Sequence, residues 1–161
     1  METVTFFWGC QIPARFPFME KSVRLLMDHL GIRIIDIPGF TCCPEKALVK
    51  NLDQELWYLT AARNLAVAED AGVEMLIEPC NGCYSTLKTV KTSLNLNLYL
   101  KAEINSKLVP LGLEYQGRIK IMHLAEYLHD KVGLPELKEG IIEPVVGMRI
   151  AVHYGCHMIR P

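Results

Sequence analysis

The chain has 161 residues, half of them hydrophobic and 22% charged, with a formal net charge of −1. This length suits one domain with a sizeable core, and the near-neutral, interspersed charge excludes a nucleic-acid or anionic-membrane surface. No apolar stretch approaches the ~20 residues of a membrane span. Because the first residues lack the pattern of a secretory signal, we expect a cytoplasmic protein with reduced cysteines.

Strand-like and helix-like segments alternate along the first two thirds of the chain. The apolar runs that predict strands are Thr3–Trp8, Ile32–Ile37 and Val73–Ile77. The periodic segments that predict helices are Pro13–Leu30, a segment from Asn51 or Asp53 to Ala71, and Cys83–Leu108, with Asn95 and Asn97 disturbing the last. This order predicts an α/β fold, in which a mostly parallel, Rossmann-like sheet carries helices on both faces.

The last third of the chain predicts the start of a second unit. A short helix is expected at Met122–Lys131, a linker at Gly133–Gly147 and a strand at Met148–His153. That strand enters Gly155–Cys156, much as the first strand enters Gly9–Cys10. We therefore predict a first domain at 1–147 and the beginning of a second, truncated unit at 148–161. The alternative is that one domain ends with its last strand.

An apolar strand without a partner strand is a template for pairing with another chain. Met148–His153 would be such a strand if the rest of the second unit is missing. We therefore expect self-association, which could proceed by exchange of the C-terminal segment between protomers.

Six cysteines are the most informative feature of the sequence. The first five lie where apolar runs end in turns that contain Gly or Pro, so parallel strands would bring them to one edge of a sheet. The six are Cys10, Cys42, Cys43, Cys80, Cys83 and Cys156. The pattern predicts that the first five thiols converge in loops at the carboxyl ends of the strands.

Thiolates at such spacing favour a metal cluster. Soft sulfur ligands select zinc, copper(I) or iron–sulfur clusters, and a C-x-x-C alone suits zinc or dithiol redox chemistry. The adjacent pair Cys42-Cys43 is poorly suited to chelating one tetrahedral ion, and five thiolates exceed the four that structural zinc needs. These features favour a cluster of several iron atoms. Inert buried cysteines and a zinc-binding or apo dithiol protein are the alternatives.

The full pattern, C-x31-C-C-x36-C-x-x-C, resembles the cysteine-rich CCG motif of the B-type subunit of heterodisulfide reductase and its family. One departure is Pro44, which stands where the name of the motif places Gly. The segment from His153 to His157, with Arg160-Pro161, resembles the opening of a second copy of the motif. The strings that resemble the first copy are Phe7-Trp8-Gly9-Cys10, Thr41-Cys42-Cys43-Pro44 and Pro79-Cys80-Asn81-Gly82-Cys83-Tyr84.

The resemblance implies an iron–sulfur subunit with one non-cubane [4Fe-4S] cluster per complete motif. The implied ligands of the first cluster are Cys10, Cys42, Cys43, Cys80 and Cys83, and Cys156 would be the first ligand of a second cluster. His153 and His157, which flank Cys156, are further candidate ligands.

The implied reaction is the reduction of the coenzyme M–coenzyme B heterodisulfide in methanogenesis. Partner subunits, one with ordinary iron–sulfur clusters and one with a flavin, would deliver the electrons one at a time. A chain with one complete motif should not turn over alone. The resemblance leaves open an electron-transfer CCG subunit linked to fumarate, lactate or glycolate.

Overall fold

The computed structural model describes residues 2–141, 146–153 and 155–159. Short single-turn segments at Val109–Leu111 and Leu128–Val132 complete the regular structure. The helices and strands are β1 (Thr3–Phe6), α1 (Gln11–Arg15), α2 (Pro17–His29), β2 (Arg33–Ile35), α3 (Val49–Leu52), α4 (Gln54–Asp70), β3 (Met75–Glu78), α5 (Asn81–Leu96), α6 (Leu98–Leu108), β4 (Lys120–His123), α7 (Leu124–Tyr127) and α8 (Leu134–Glu139).

The four strands form one parallel sheet in the order β2-β1-β3-β4. Each strand is followed by at least one helix, which is the connection that parallel pairing requires. Since all four strands run the same way, their carboxyl ends share one edge of the sheet. The predicted α/β class with a parallel sheet is confirmed.

Alternate residues of the strands bury against helices on both faces of the sheet. On one face, Leu76 and Ile121 pack in a core that includes Trp57 of α4 and Leu87 of α5. On the other face, a smaller core contains Val4, Phe6 and Ile77 of the strands, Val23 and Met27 of α2, and Tyr127. Period-two burial of this kind is what a sheet covered on both sides demands.

Two predicted helices are each split in the structure. Pro13–Leu30 is interrupted at Phe16 (φ −129°, ψ 49°), because the residue before Pro17 is pushed out of helical geometry and Pro17 begins α2. Cys83–Leu108 is interrupted at Asn97, whose side-chain oxygen accepts a hydrogen bond from the Leu100 amide (3.1 Å) and so begins α6. The disturbance expected at the asparagines is therefore a helix boundary.

The predicted helix at Met122–Lys131 begins too early, because its first residues belong to β4. The strand pairs with β3 along its whole length, from Met75–Lys120 to Glu78–His123. The helical segment starts at Leu124, where His123 and Glu126 form a reciprocal capping box. Only Ile121 and Met122 of this strand are apolar, so the pattern was too short to distinguish from the first turn of a helix.

The strand predicted at Met148–His153 is wrong. The segment has no regular structure and pairs with no strand in the described part of the chain, and Met148, Ile150 and Val152 are each at least 70% exposed. Its apolar residues therefore lack the sheet partner that would make them a strand. The linker predicted at Gly133–Gly147 contains α8, while 142–145 lie outside the described residues, as do Tyr154, Arg160 and Pro161 of the second motif.

Glu69, near the end of α4, supports the chain segment that leads into β4. Its carboxylate accepts hydrogen bonds from the backbone amides of Gln116 (2.6 Å), Arg118 (2.6 Å) and Ile119 (3.1 Å). We expect Glu69→Ala to lower the free energy of unfolding by about 1–3 kcal/mol, because three donors lose a charged acceptor. Urea unfolding measures the change.

The control for this prediction is Glu103→Ala. Glu103 is an exposed residue of α6, and among the described residues its carboxylate forms only a surface ion pair with Lys107 (3.5 Å). Its removal should barely move the unfolding midpoint. Equal shifts for the two variants would show that the Glu69 contacts add no stability.

Candidate metal centre

Three strands deliver cysteines to the same edge of the sheet. Cys10 follows β1 and precedes α1, Cys42 and Cys43 lie in the loop 36–48 between β2 and α3, and Cys80 follows β3. Cys80 is the residue before the first turn of α5, and Cys83 lies in that turn. The loops converge because the carboxyl ends of parallel strands meet at one edge.

The five thiols lie as a series of neighbours. The Cys10 and Cys42 sulfurs are 3.5 Å apart and both residues are exposed. Cys43 is buried, and the Cys83 thiol, also buried, interacts with both Cys43 and Cys80. The series therefore runs from an exposed pair to a buried set, and the structure brings together all five of the residues predicted to converge.

Gly9 allows this approach of sulfur to backbone. Its φ is +66°, and a Cβ at this position would lie 2.6 Å from the Cys83 sulfur. A left-handed backbone that also has to leave room for a sulfur atom accepts glycine alone. Gly9 thus fixes how closely the first loop meets the C-x-x-C turn.

The thiols differ in how readily they ionise. Hydrogen bonds from the Cys83 thiol and from the backbone N–H groups of Cys83 and Gly82 at the start of α5 together lower the pKa of Cys80 to about 6. Cys83 also lowers the pKa of Cys43, while its own pKa is raised by these two neighbours. Burial and the Cys10 thiol raise the pKa of Cys42 to about 12. In the metal-free chain, Cys80 is therefore converted to a thiolate more easily than Cys42 or Cys83.

The loop 36–48 is held in place by side chains of the helices. Asn64 of α4 accepts from the Thr41 amide (2.8 Å) and donates to the Cys42 carbonyl (3.1 Å). The neighbouring Arg63 donates to the Gly39 carbonyl (2.6 Å). The loop has no strand partner among the described residues. These side-chain contacts supply hydrogen bonds that its backbone N–H and C=O groups would form with a neighbouring strand in a sheet.

Two buried polar residues near the thiols were not identified from the sequence. Glu78 is fully buried, and its carboxylate oxygens have no hydrogen-bond partner among the described residues. Burial, with Cys43 and Cys80 nearby, raises the pKa of Glu78 well above its usual range. His123, the register partner of Glu78, has a buried Nε2 atom that is likewise without a partner in the described part of the chain. A glutamate at the end of an apolar run was the available signal for Glu78.

Cys156 does not belong to the series of five. It is exposed, and no interaction joins it to the other thiols within the described residues. The role of Cys156 as the first ligand of a second cluster stays a prediction.

The donor set suits a group with several metal atoms. Across 2–141, 146–153 and 155–159, no three His, Cys, Asp or Glu side chains are grouped so that they could hold a metal ion. A tetrahedral zinc ion needs four donors around one point, whereas the irons of a cluster each need their own sulfur. Five thiols placed as successive neighbours fit the second requirement better.

Comparison with known proteins identifies this arrangement. The family model of the cysteine-rich domain, CCG, matches residues 4–88, which include all five thiols of the series. The B-type subunit of ferredoxin:CoB-CoM heterodisulfide reductase from Methanosarcina mazei is 37% identical over the whole chain, and a related B-type subunit from Methanosarcina acetivorans is 36% identical. In both cases the chain spans about half the length of the relative, 53%.

Two further relatives widen the comparison. A component of 8-methylmenaquinol:fumarate reductase from Wolinella succinogenes, named as its membrane anchor, is 32% identical over 97% of this chain and 53% of its own length. A hypothetical protein from Helicobacter pylori with a known crystal structure shares the fold with a TM-score of 0.70 and 26% identity, over 80% of this chain and 25% of that one.

No helix in the described part of the chain is both long and apolar enough to span a bilayer. The relatives with named functions are subunits of oxidoreductases. With its cysteine spacing, its converging thiols and the match over residues 4–88, the chain belongs to the CCG cysteine-rich domain family and corresponds to the N-terminal part of the B-type subunit of heterodisulfide reductase.

Proposed function

We propose that the chain is one cluster-binding half of the catalytic subunit of a thiol–disulfide oxidoreductase of the heterodisulfide reductase kind. The observation that carries the proposal is the convergence of five thiols from three strand ends at one edge of the sheet. The 36–37% identity to B-type subunits of heterodisulfide reductase supports the substrate class, a mixed disulfide of two thiol coenzymes.

In this proposal Cys10, Cys42, Cys43, Cys80 and Cys83 hold a non-cubane [4Fe-4S] cluster. When bound, the cluster would pass electrons singly and interact with a thiol sulfur of the substrate. The exposed pair Cys10 and Cys42 marks the side open to substrate, whereas the buried Cys43 and Cys83 lie on the side that excludes water.

The protein also has to replace the protons of the thiols with iron. Thiolates and not thiols are metal ligands, so loading releases protons and is favoured as pH rises. Cys80, with its pKa of about 6, is a thiolate at neutral pH. Cys83 and Cys42 have raised pKa values and stay protonated at that pH, so they bind iron less readily. Loading should therefore begin at Cys80 and reach Cys83, its partner in the C-x-x-C turn, later.

In this proposal electrons come from partner subunits, one with cubane iron–sulfur clusters and one with a flavin. The names of the two relatives support a multi-subunit reductase that takes electrons from ferredoxin. We assign residues 148–161, including Cys156, to a second CCG unit, because their motif repeats that of the first. A cytoplasmic location accords with six free cysteines, which a reducing compartment maintains.

A dye-linked assay tests the reaction. The anaerobic protein is reduced with viologen and offered the CoM–CoB heterodisulfide, and dye oxidation and thiol release are followed together. With the second CCG unit and the remaining subunits present, we expect the disulfide to oxidise the dye and release both thiols. The 161-residue chain alone should not turn over, and repeated turnover by it would contradict the assignment of half a centre.

The relative named as part of a fumarate reductase supports a second candidate, an electron-transfer CCG protein without disulfide chemistry. The same assay separates the two functions. If fumarate oxidises the dye and the disulfide does not, the second candidate replaces the first.

Self-association is a further part of the proposal. The exposed apolar side chains of Met148, Ile150 and Val152 lie outside the sheet and would gain from burial against another chain. We expect light scattering to show a dimer or larger species at high concentration. A monomer at all concentrations would contradict this expectation.

A further inference from the structure

Asn64 is a buried amide in an otherwise apolar part of α4. It is 0% exposed, and Ala61, Ala62 and Leu65 around it belong to the main core. A side-chain amide in such surroundings costs free energy unless its hydrogen bonds are made. Its partners therefore indicate why an asparagine stands at this position.

Those partners lie on both sides of the first cysteine of the vicinal pair. The Asn64 oxygen accepts from the Thr41 amide (2.8 Å) and from the Thr41 hydroxyl (3.3 Å). The Asn64 nitrogen donates to the Cys42 carbonyl (3.1 Å) and to the Thr60 carbonyl of its own helix (3.2 Å). One rigid side chain thus fixes the backbone that carries Cys42 and Cys43.

We propose that Asn64 is the positioning residue of the vicinal pair, setting where the Cys42 and Cys43 sulfurs stand for the metal centre. The role in the loaded protein rests on the proposed function. The positioning itself concerns the polypeptide, and can be measured without metal.

The physical reason is the irregular backbone of the loop 36–48. It has no helix or strand of its own around the cysteines. Local opening of the loop would therefore expose Cys43, which is only 6% exposed in the folded chain. Hydrogen bonds from a helix in the core raise the free energy of that opening. Cys83, in contrast, lies in the first turn of α5 and does not depend on Asn64 for its position.

The experiment compares alkylation of two buried thiols in reduced, metal-free protein. The rates at Cys43 and Cys83 are read by mass spectrometry after treatment with iodoacetamide. In Asn64→Leu, which keeps the volume but loses every side-chain hydrogen bond, we expect Cys43 to react about tenfold faster relative to Cys83, since the loop loses its hydrogen bonds to the helix. An unchanged ratio overturns the proposal.

Asn105 provides a matched control on α6. Its amide makes the same paired contacts to a chain segment without regular structure, donating to the Tyr115 carbonyl (3.0 Å) and accepting from the Tyr115 amide (2.9 Å). Asn105→Leu should destabilise the fold while leaving the ratio of the two rates as in the wild type. If Asn105→Leu raises the ratio as much as Asn64→Leu, the effect is general loosening and the proposal fails.

Asn64→Asp keeps the test decisive if Asn64→Leu does not fold. It retains an oxygen for Thr41 and replaces the nitrogen that donates to Cys42, so the ratio should rise by less than in Asn64→Leu. A wild-type ratio in this variant would contradict the role of the Cys42 contact.

The loaded protein gives a second measurement, because a residue that only stabilises the fold would not alter the electronic state of the cluster. We expect the midpoint potential to shift in folded Asn64 variants and to stay at the wild-type value in Asn105→Leu. No shift in the Asn64 variants would overturn the role at the metal centre. A protein that takes up no iron would instead contradict the proposed function, while the alkylation ratio still decides the positioning.

Discussion

Gly9→Ala should strongly weaken assembly of the metal centre. The new Cβ would lie 2.6 Å from the Cys83 sulfur, a separation that forces either the sulfur or the first loop to move. Because Cys83 stands between Cys43 and Cys80 in the series of thiols, its displacement disturbs the centre of the donor set. We expect iron affinity to fall by at least the roughly 10–100-fold that is typical when metal ligands lose their supporting contacts.

The backbone strain of this substitution can be separated from the clash. Gly31 has nearly the same left-handed geometry (φ +69°, against +66° at Gly9), and a Cβ there meets nothing within 4 Å. Both variants should lose about 1–2 kcal/mol of stability from strain, but only Gly9→Ala should lose iron. Iron content per folded chain is the measurement, and equal iron in the two variants would show that the Gly9 contact is unimportant.

Replacing cysteines by serine should divide the six into two groups. Cys43→Ser and Cys83→Ser place a harder oxygen in the buried part of the series, and we expect each variant to lose most of its iron. Cys156→Ser changes an exposed residue outside the series, and this variant should keep its iron. Iron and sulfide are measured after identical anaerobic loading.

Circular dichroism controls for folding in the serine variants. The helices and both cores lie largely away from the thiols, so every variant should keep a helical spectrum. Iron retained by Cys83→Ser, or lost from Cys156→Ser, would contradict the assignment of the five ligands.

The parts of this fold that could be predicted were those with local signals. The strand–helix order and the cysteine spacing together placed five thiols at one edge of a parallel sheet, because each cysteine follows an apolar run at a turn. β4 (Lys120–His123) was missed because it has only two apolar residues, Ile121 and Met122, and runs directly into a helix start. The segment Met148–His153 has a strand composition but no partner within the described chain, and composition cannot supply a partner.

The polar support of the site could not be predicted, since it depends on distant contacts. Asn64 lies 23 and 22 residues from Thr41 and Cys42, whose backbone it holds, and an asparagine in a helix is a common residue that carries no signal in sequence. Glu78 and His123 become neighbours only through the pairing of β3 with β4. Their burial results from the pairing of the two strands, so it could not be predicted without knowing the register of the sheet.

The central claim, that five converging thiols hold an iron–sulfur cluster, is tested most directly by metal and sulfide analysis of anaerobically purified protein. We expect a brown protein with charge-transfer absorption, containing iron and acid-labile sulfide in equal molar amounts. A colourless protein with at most one zinc ion per chain and no sulfide would contradict the claim.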